Sequence, residues 1–128
     1  MAHPNEELVR TVYGAFGRGD MEALFSALSD DIVFHVPGRT AISGDHRGKE
    51  QLSAFFEKVG ERSAGTVHLD VHDVVANDQH VLGLANISGQ PKGQPLSYHV
   101  VHVWHVREGK LAEMWEHPEQ AGFDAFWG

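Results

Sequence analysis

The 128-residue chain has no cysteine. That excludes disulfides, thiol nucleophiles and cysteine metal sites together, and it fits a reducing cytoplasm. Positive charge is scarce. Ten Lys and Arg face eighteen Asp and Glu, for a formal charge of -8. A phosphate-backbone partner wants a basic face, so no nucleic acid is expected. No apolar run approaches the length of about 20 residues that spans a bilayer. The start, Met1 to Glu7, is polar and acidic, unlike a secretory signal. The expectation is a cytoplasmic protein without membrane association.

Hydrophobic residues make up 41% of the chain, enough for a globular core. The length suits one domain, residues 1–128. Ten histidines are many for this size. Several should gain protons between about pH 5 and 7.

Pro4-Asn5-Glu6-Glu7 places proline and acids where a helix start favours them. Leu8, Val12 and Phe16 form an apolar stripe that Val9 and Tyr13 widen, and Gly17-Arg18-Gly19 stops it. Asp20 is a cap for a second helix, Met21 to Leu28. Ser29-Asp30-Asp31 reads as a turn, and Ile32 to Val36 as a strand ended by Pro37-Gly38. Residues 38–48 read as a polar, glycine-containing loop, with Gly44 to Gly48 at the rim of any pocket. A third helix runs from about Lys49 to Arg62, with Leu52, Phe55, Phe56 and Val59 inward. The period then changes to two. Val67, Leu69 and Val71 alternate with His68, Asp70 and His72. Strands follow at His80 to Ser88, Leu96 to Val106 and Leu111 to His117, before a helical or turn-like tail. Early helices and a late meander predict an α+β fold, helices on one face of an antiparallel sheet.

Several runs carry a resemblance. Val12-Tyr13-Gly14-Ala15-Phe16-Gly17-Arg18-Gly19-Asp20 resembles the first-helix signature of nuclear-transport-factor-like (NTF2-like) proteins, especially SnoaL-like polyketide cyclases and ketosteroid isomerases. Asp30 to Gly38 is similar to their first strand, and Arg47-Gly48-Lys49-Glu50 with Phe55-Phe56 to the start of their third helix. Val100 to Val106 and Gly109 to Glu116 resemble their last hairpin. The resemblance implies a curved antiparallel sheet and N-terminal helices forming a cone-shaped barrel around an apolar pocket. It also implies where the chain departs from the isomerases. Val36 stands where their catalytic aspartate precedes the proline, and His102 where their second, acidic donor lies. Tyr13 falls near their tyrosine, one residue short in its spacing to the Gly-Asp pair. A classical steroid isomerase is not expected.

The resemblance turns His102 toward the cone interior. Tyr98, Val100 and Trp104 share its strand face. Arg107-Glu108-Gly109 reads as a three-residue loop with glycine left-handed and a bulge. His102 then faces Met114, and Glu116 is its diagonal neighbour at about 7–8 Å. A two-residue loop would instead set His102 against Trp115 and turn Glu116 away. The expected site has His102 as acid/base and Glu116 as its orienting carboxylate. Tyr13, Phe16, Val36, Phe56, Tyr98, Val100, Trp104 and Met114 would line a pocket for a small apolar molecule. The plain alternative for His102 is a satisfied core histidine, and for Tyr13 a helix-packing residue. His35 has the wrong parity for the site. A zinc site from His102, His35 and Glu116, or a patch at His68, Asp70 and His72, lacks a compact ligand motif. No metal or cofactor is expected.

Two functions stay open. One is an isomerase, cyclase or dehydratase moving a proton on an apolar carbonyl or polyketide-like compound. The other is a non-catalytic ligand-binding or association module. On the opposite sheet face, Val101, Val103 and Trp115 predict a homodimer, since a strand apolar on both faces is covered on both.

Overall fold

A computed structural model describes residues 2–128, and Met1 lies outside it. Helix α1 spans Pro4–Arg18. His3 caps it by accepting the Asn5 N–H, Pro4 supplies the first turn, and Gly19 ends it in the left-handed conformation at φ 70°. Helix α2, Met21–Ser26, is capped by Asp20, whose carboxylate accepts the Ala23 N–H at 3.1 Å. It stops two residues before the expected Leu28, because β1 already begins there.

Strand β1 is Leu28–Val36, β2 is Gly44–Arg47, and α3 is Gly48–Arg62. Strands β3 (His68–Ala76), β4 (His80–Gly89), β5 (Leu96–Arg107) and β6 (Lys110–Pro118) lead to α4, Gln120–Trp127. Two expectations are corrected. Ser29 to Asp31 lie in β1 rather than a turn, and the loop of residues 38–48 contains β2, paired antiparallel to β1 from Val33↔Arg47 to Val36↔Gly44. Ser29 and Asp31 hydrogen-bond to each other through side chains at 2.8 Å, a local contact typical of turn sequences. Here it sits beside the irregularity in the β1 register between Leu28 and Val33.

The six strands form one open, curved sheet in the order β2-β1-β6-β5-β4-β3. Four neighbour pairs are antiparallel, as expected; β1 pairs with β6 in parallel. Register shifts in β1, β3 and β6 add local bends, the usual source of sheet curvature. Helix α1 lies over β3 and β4, α3 over β1 and β2, and α4 against β5. The core fills the space between, from Val9 and Ala15 on α1 through Leu52 on α3 to Phe123 and Phe126 on α4.

The last hairpin differs from its expected form. Arg107 pairs with Lys110, so the loop has two residues, Glu108 and Gly109, with φ 53° and 74°. Positive φ at both central positions is the hairpin turn that follows strand twist best. The bulge comes later. Val106 pairs with Leu111 but His105 with Glu113, leaving Ala112 as the extra residue. The added residue restores parity, and His102 sits directly opposite Glu116.

Candidate functional site

A cavity of about 80 Å³ lies between the sheet and the helices. Its apolar wall is aromatic. Phe34 packs edge-on against Phe55, Phe56 and Trp104, with ring centroids 5.8, 6.0 and 5.6 Å apart. Such pairs add about 0.5–1.5 kcal/mol each beyond area burial, so this wall is stiff. Phe16, Phe56, Val67 and Leu69 also line an adjoining groove of about 340 Å³. These four are only partly buried, which makes them the mouth.

The polar groups enter from β5 and β6. The face of β5 that carries Tyr98, Val100, His102 and Trp104 is buried, as alternation requires. His102 and Glu116 are each 7% exposed. The Trp104 indole N–H donates to the Tyr13 hydroxyl oxygen at 3.3 Å. The Tyr13 hydroxyl lies 2.8 Å from His102 Nδ1, and His102 Nε2 lies 3.1 Å from Glu116 Oε1. A carboxylate can only accept, so Glu116 takes the Nε2 proton, Nδ1 of the same ring is left as an acceptor, and the Tyr13 phenol donates to it. The hydrogen-bond network thus assigns the proton of a neutral imidazole to Nε2, from which it donates to Glu116. Burial first, then the Glu116 charge, push the Tyr13 phenol well above its ordinary pKa against the Trp104 hydrogen bond. Tyr13 therefore stays protonated and remains a donor.

Two groups are left over. Glu116 Oε2 is buried without a hydrogen-bond partner among the described residues. Tyr98, 3% exposed, accepts the Trp127 indole N–H at 2.6 Å, and its own hydroxyl proton has no acceptor among them. Burial, chiefly, and the Glu116 charge raise the Tyr98 phenol in the same way, again opposed by its indole hydrogen bond.

Of the residues expected at the site, Tyr13, Phe16, Phe56, Tyr98, His102, Trp104, Met114 and Glu116 all line the cavity. Val36 and Val100 are buried but do not line it. Both lie where the strands run on beneath α4. Val100 pairs with Pro118, and Val36 precedes the Pro37-Gly38 turn, whose glycine sits against Phe123. His35 is on the other face, stacked on Trp115 and bonded to Asp45 and Glu113. Its separation from His102 removes the zinc site considered from sequence, and no group of three metal-ligating side chains occurs among the described residues. The Gly44 to Gly48 segment does not line the cavity, although His46 packs on Phe55 with ring centroids 4.6 Å apart.

The sequence reading missed Gly83 and Trp127. Gly83 pairs with His102 on β4, and a β-carbon there would collide with the Tyr13 hydroxyl. An isolated glycine inside a strand is the available signal of such a close approach. Trp127 reaches the cavity because α4 buries Phe123, Phe126 and Trp127 together, a helical spacing visible in the tail.

The curved sheet, the helices over it and the cavity between them are those of the NTF2-like fold class. The family model described as a SnoaL-like domain matches residues 9–114, and the chain belongs to that family. Bal32a, from a soil-derived mobile gene cassette, is 31% identical, with TM-score 0.92 over 98% of this chain and 97% of its own. The uncharacterized protein Rv0034 of Mycobacterium tuberculosis is 27% identical over 123 residues, 94% of either chain. IdmH of Streptomyces antibioticus, a proposed polyketide cyclase, shares the fold at 20% identity, with TM-score 0.78 over 97% of each chain.

Proposed function

We propose that the protein binds a small, mostly apolar carbonyl or polyketide-like compound and transfers a proton on the carbon beside the carbonyl. Isomerisation, aldol-type cyclisation and dehydration share that step. The observation carrying this reading is the state of the Glu116–His102 pair. Both imidazole nitrogens are engaged, by Tyr13 and by Glu116 Oε1, while Glu116 Oε2, on a residue lining the apolar cavity, has no partner among the described residues. A buried carboxylate oxygen without a partner costs about 1–3 kcal/mol or more, so an unsatisfied one is a candidate for chemistry. This exchanges the expected roles. Glu116 takes and returns the proton, and His102, oriented by Tyr13, holds the carboxylate in place. The fold shared with a proposed polyketide cyclase is compatible with that chemistry.

The test is exchange of α-hydrogen for deuterium on small cyclic ketones in D₂O, followed by NMR. Glu116→Gln keeps the shape and removes the base, so exchange should fall by about 10²–10⁴-fold, the usual share of such a group. His102→Asn should lose less. Exchange no faster than in buffer, with ketone affinity lost mainly in Trp104→Ala, would instead mark a binding module.

A further inference from the structure

We infer that the Tyr98 hydroxyl is the donor that binds the ligand's carbonyl oxygen, so that Tyr98 and Glu116 Oε2 form a two-point subsite for a ketone or enone with an acidic hydrogen on the adjacent carbon. The inference deepens the proton-transfer reading above and rests on it for the role of Glu116.

It follows from accounting for the polar groups that line the cavity. The Trp104 N–H is spent on Tyr13, and the Tyr13 O–H on His102. The His102 N–H is spent on Glu116, and the Trp127 N–H on Tyr98. Among the described residues one donor remains, the Tyr98 O–H, and one carboxylate oxygen, Glu116 Oε2. Both residues are more than nine-tenths buried and line the same chamber. A ligand that satisfies both must offer an acceptor to one and a proton to the other. A carbonyl with a neighbouring C–H does so on adjacent carbons.

The step balances without any further reagent. Glu116 Oε2 removes the α-proton. The C–H electron pair becomes the C=C bond, and the carbonyl π pair moves onto oxygen. Tyr98 donates a hydrogen bond to that oxygen and keeps its proton, since burial holds the phenol protonated. The Trp127 N–H on the Tyr98 oxygen at 2.6 Å polarises the hydroxyl and strengthens it as a donor. Return of the proton from Glu116 to the same carbon gives exchange, and with a β,γ-enone its return to the γ-carbon of the dienolate completes an isomerisation. The partly buried Phe16 and Phe56 at the mouth leave room for the remainder of the ligand in the outer groove.

The experiment uses p-nitrophenolate as an enolate mimic, its binding read from its visible absorption. In a Glu116→Gln background the neutral amide stands for the protonated acid formed after proton removal. Phenolate should bind there more tightly than to the parent, where two anions would meet. Adding Tyr98→Phe should weaken phenolate binding by about 10- to 100-fold, the worth of a hydrogen bond to a charged group. Binding of nitrobenzene, which has no oxyanion, should be unchanged, and that shows the cavity intact. Equal phenolate affinity with and without the Tyr98 hydroxyl overturns the inference. The ketone exchange assay reports on Glu116 separately: exchange lost in Glu116→Gln but retained in Tyr98→Phe overturns Tyr98 alone, leaving the proton transfer standing.

Discussion

Gly83 and Tyr13 compete for the same space: a β-carbon on Gly83 would fall on the Tyr13 hydroxyl. Gly83 is also the ladder partner of His102, so the missing side chain lets the helix α1 phenol reach the imidazole across the strand. Gly83→Ala should displace Tyr13, break its bond to His102 and cost about 1–3 kcal/mol by overpacking. Thermal melting measures the stability, and the His102 ring signals in NMR report the lost contact. An unchanged His102 environment would show that the glycine is not what admits Tyr13.

Glu108 holds φ 53° in the last hairpin, in a region that favours glycine and asparagine. Glu108→Asn should relieve part of a strain on the order of 1 kcal/mol and raise Tm. The register should not move, because Gly109 and the Ala112 bulge are untouched. A fall in Tm would mean that the Glu108 side chain contributes something the turn geometry does not reveal.

The site was legible in the sequence to the extent that it depends on alternation. One face of β5 carries Tyr98, His102 and Trp104 because strand period is two, whatever the neighbouring strand does. The hairpin was not legible in detail. Arg107-Glu108-Gly109 suggests one left-handed residue where the turn has two, and nothing about Ala112 marks a bulge. The two differences offset each other, which is why Glu116 still meets His102, directly rather than diagonally. Strand β2 is four residues without apolar alternation, held at the sheet edge by pairing with β1 alone, so no local pattern announces it. The bond from Tyr13 to His102 joins residues 89 apart, a contact that only the packing of α1 over β4 creates.

His35 should make stability pH-dependent. Burial alone would lower its pKa, but hydrogen bonds to Glu113 and Asp45 outweigh that and raise it above the ordinary value. Asp45 is lowered in turn, chiefly by its hydrogen bond with His35. A raised histidine stabilises fully below its unfolded pKa of about 6.5, and the contribution is lost as pH rises through the raised folded value. A lowered aspartate stabilises above about 3.9 and loses that as pH falls through its folded value. The cluster therefore works between those limits. His35→Gln should lower Tm more at about pH 6 than at about pH 9. A Tm difference independent of pH would assign His35 a packing role on Trp115 only.

The outer face of the sheet gives the last prediction. Leu82, Val103 and Trp115 are successive ladder partners, so they form one apolar row across β4, β5 and β6, with His35 stacked at its end. Leu84 and Val101 form the adjacent row. Leu82 is 39% exposed, and Val101, Val103 and Trp115 are only partly covered. The helices cover the other face, so no helix among the described residues shields this one. We propose that a second copy does, the two sheets packing through these rows. Sedimentation should then show a dimer at micromolar concentration. Val103→Asp places a charge at the middle of the Leu82–Val103–Trp115 row, where a symmetric pairing would bury it without a partner. That variant should sediment as a monomer. Its side chain points away from the cavity, so nitrobenzene binding should persist. A parent chain that sediments as a monomer ends this reading, and so does a Val103→Asp variant that stays dimeric.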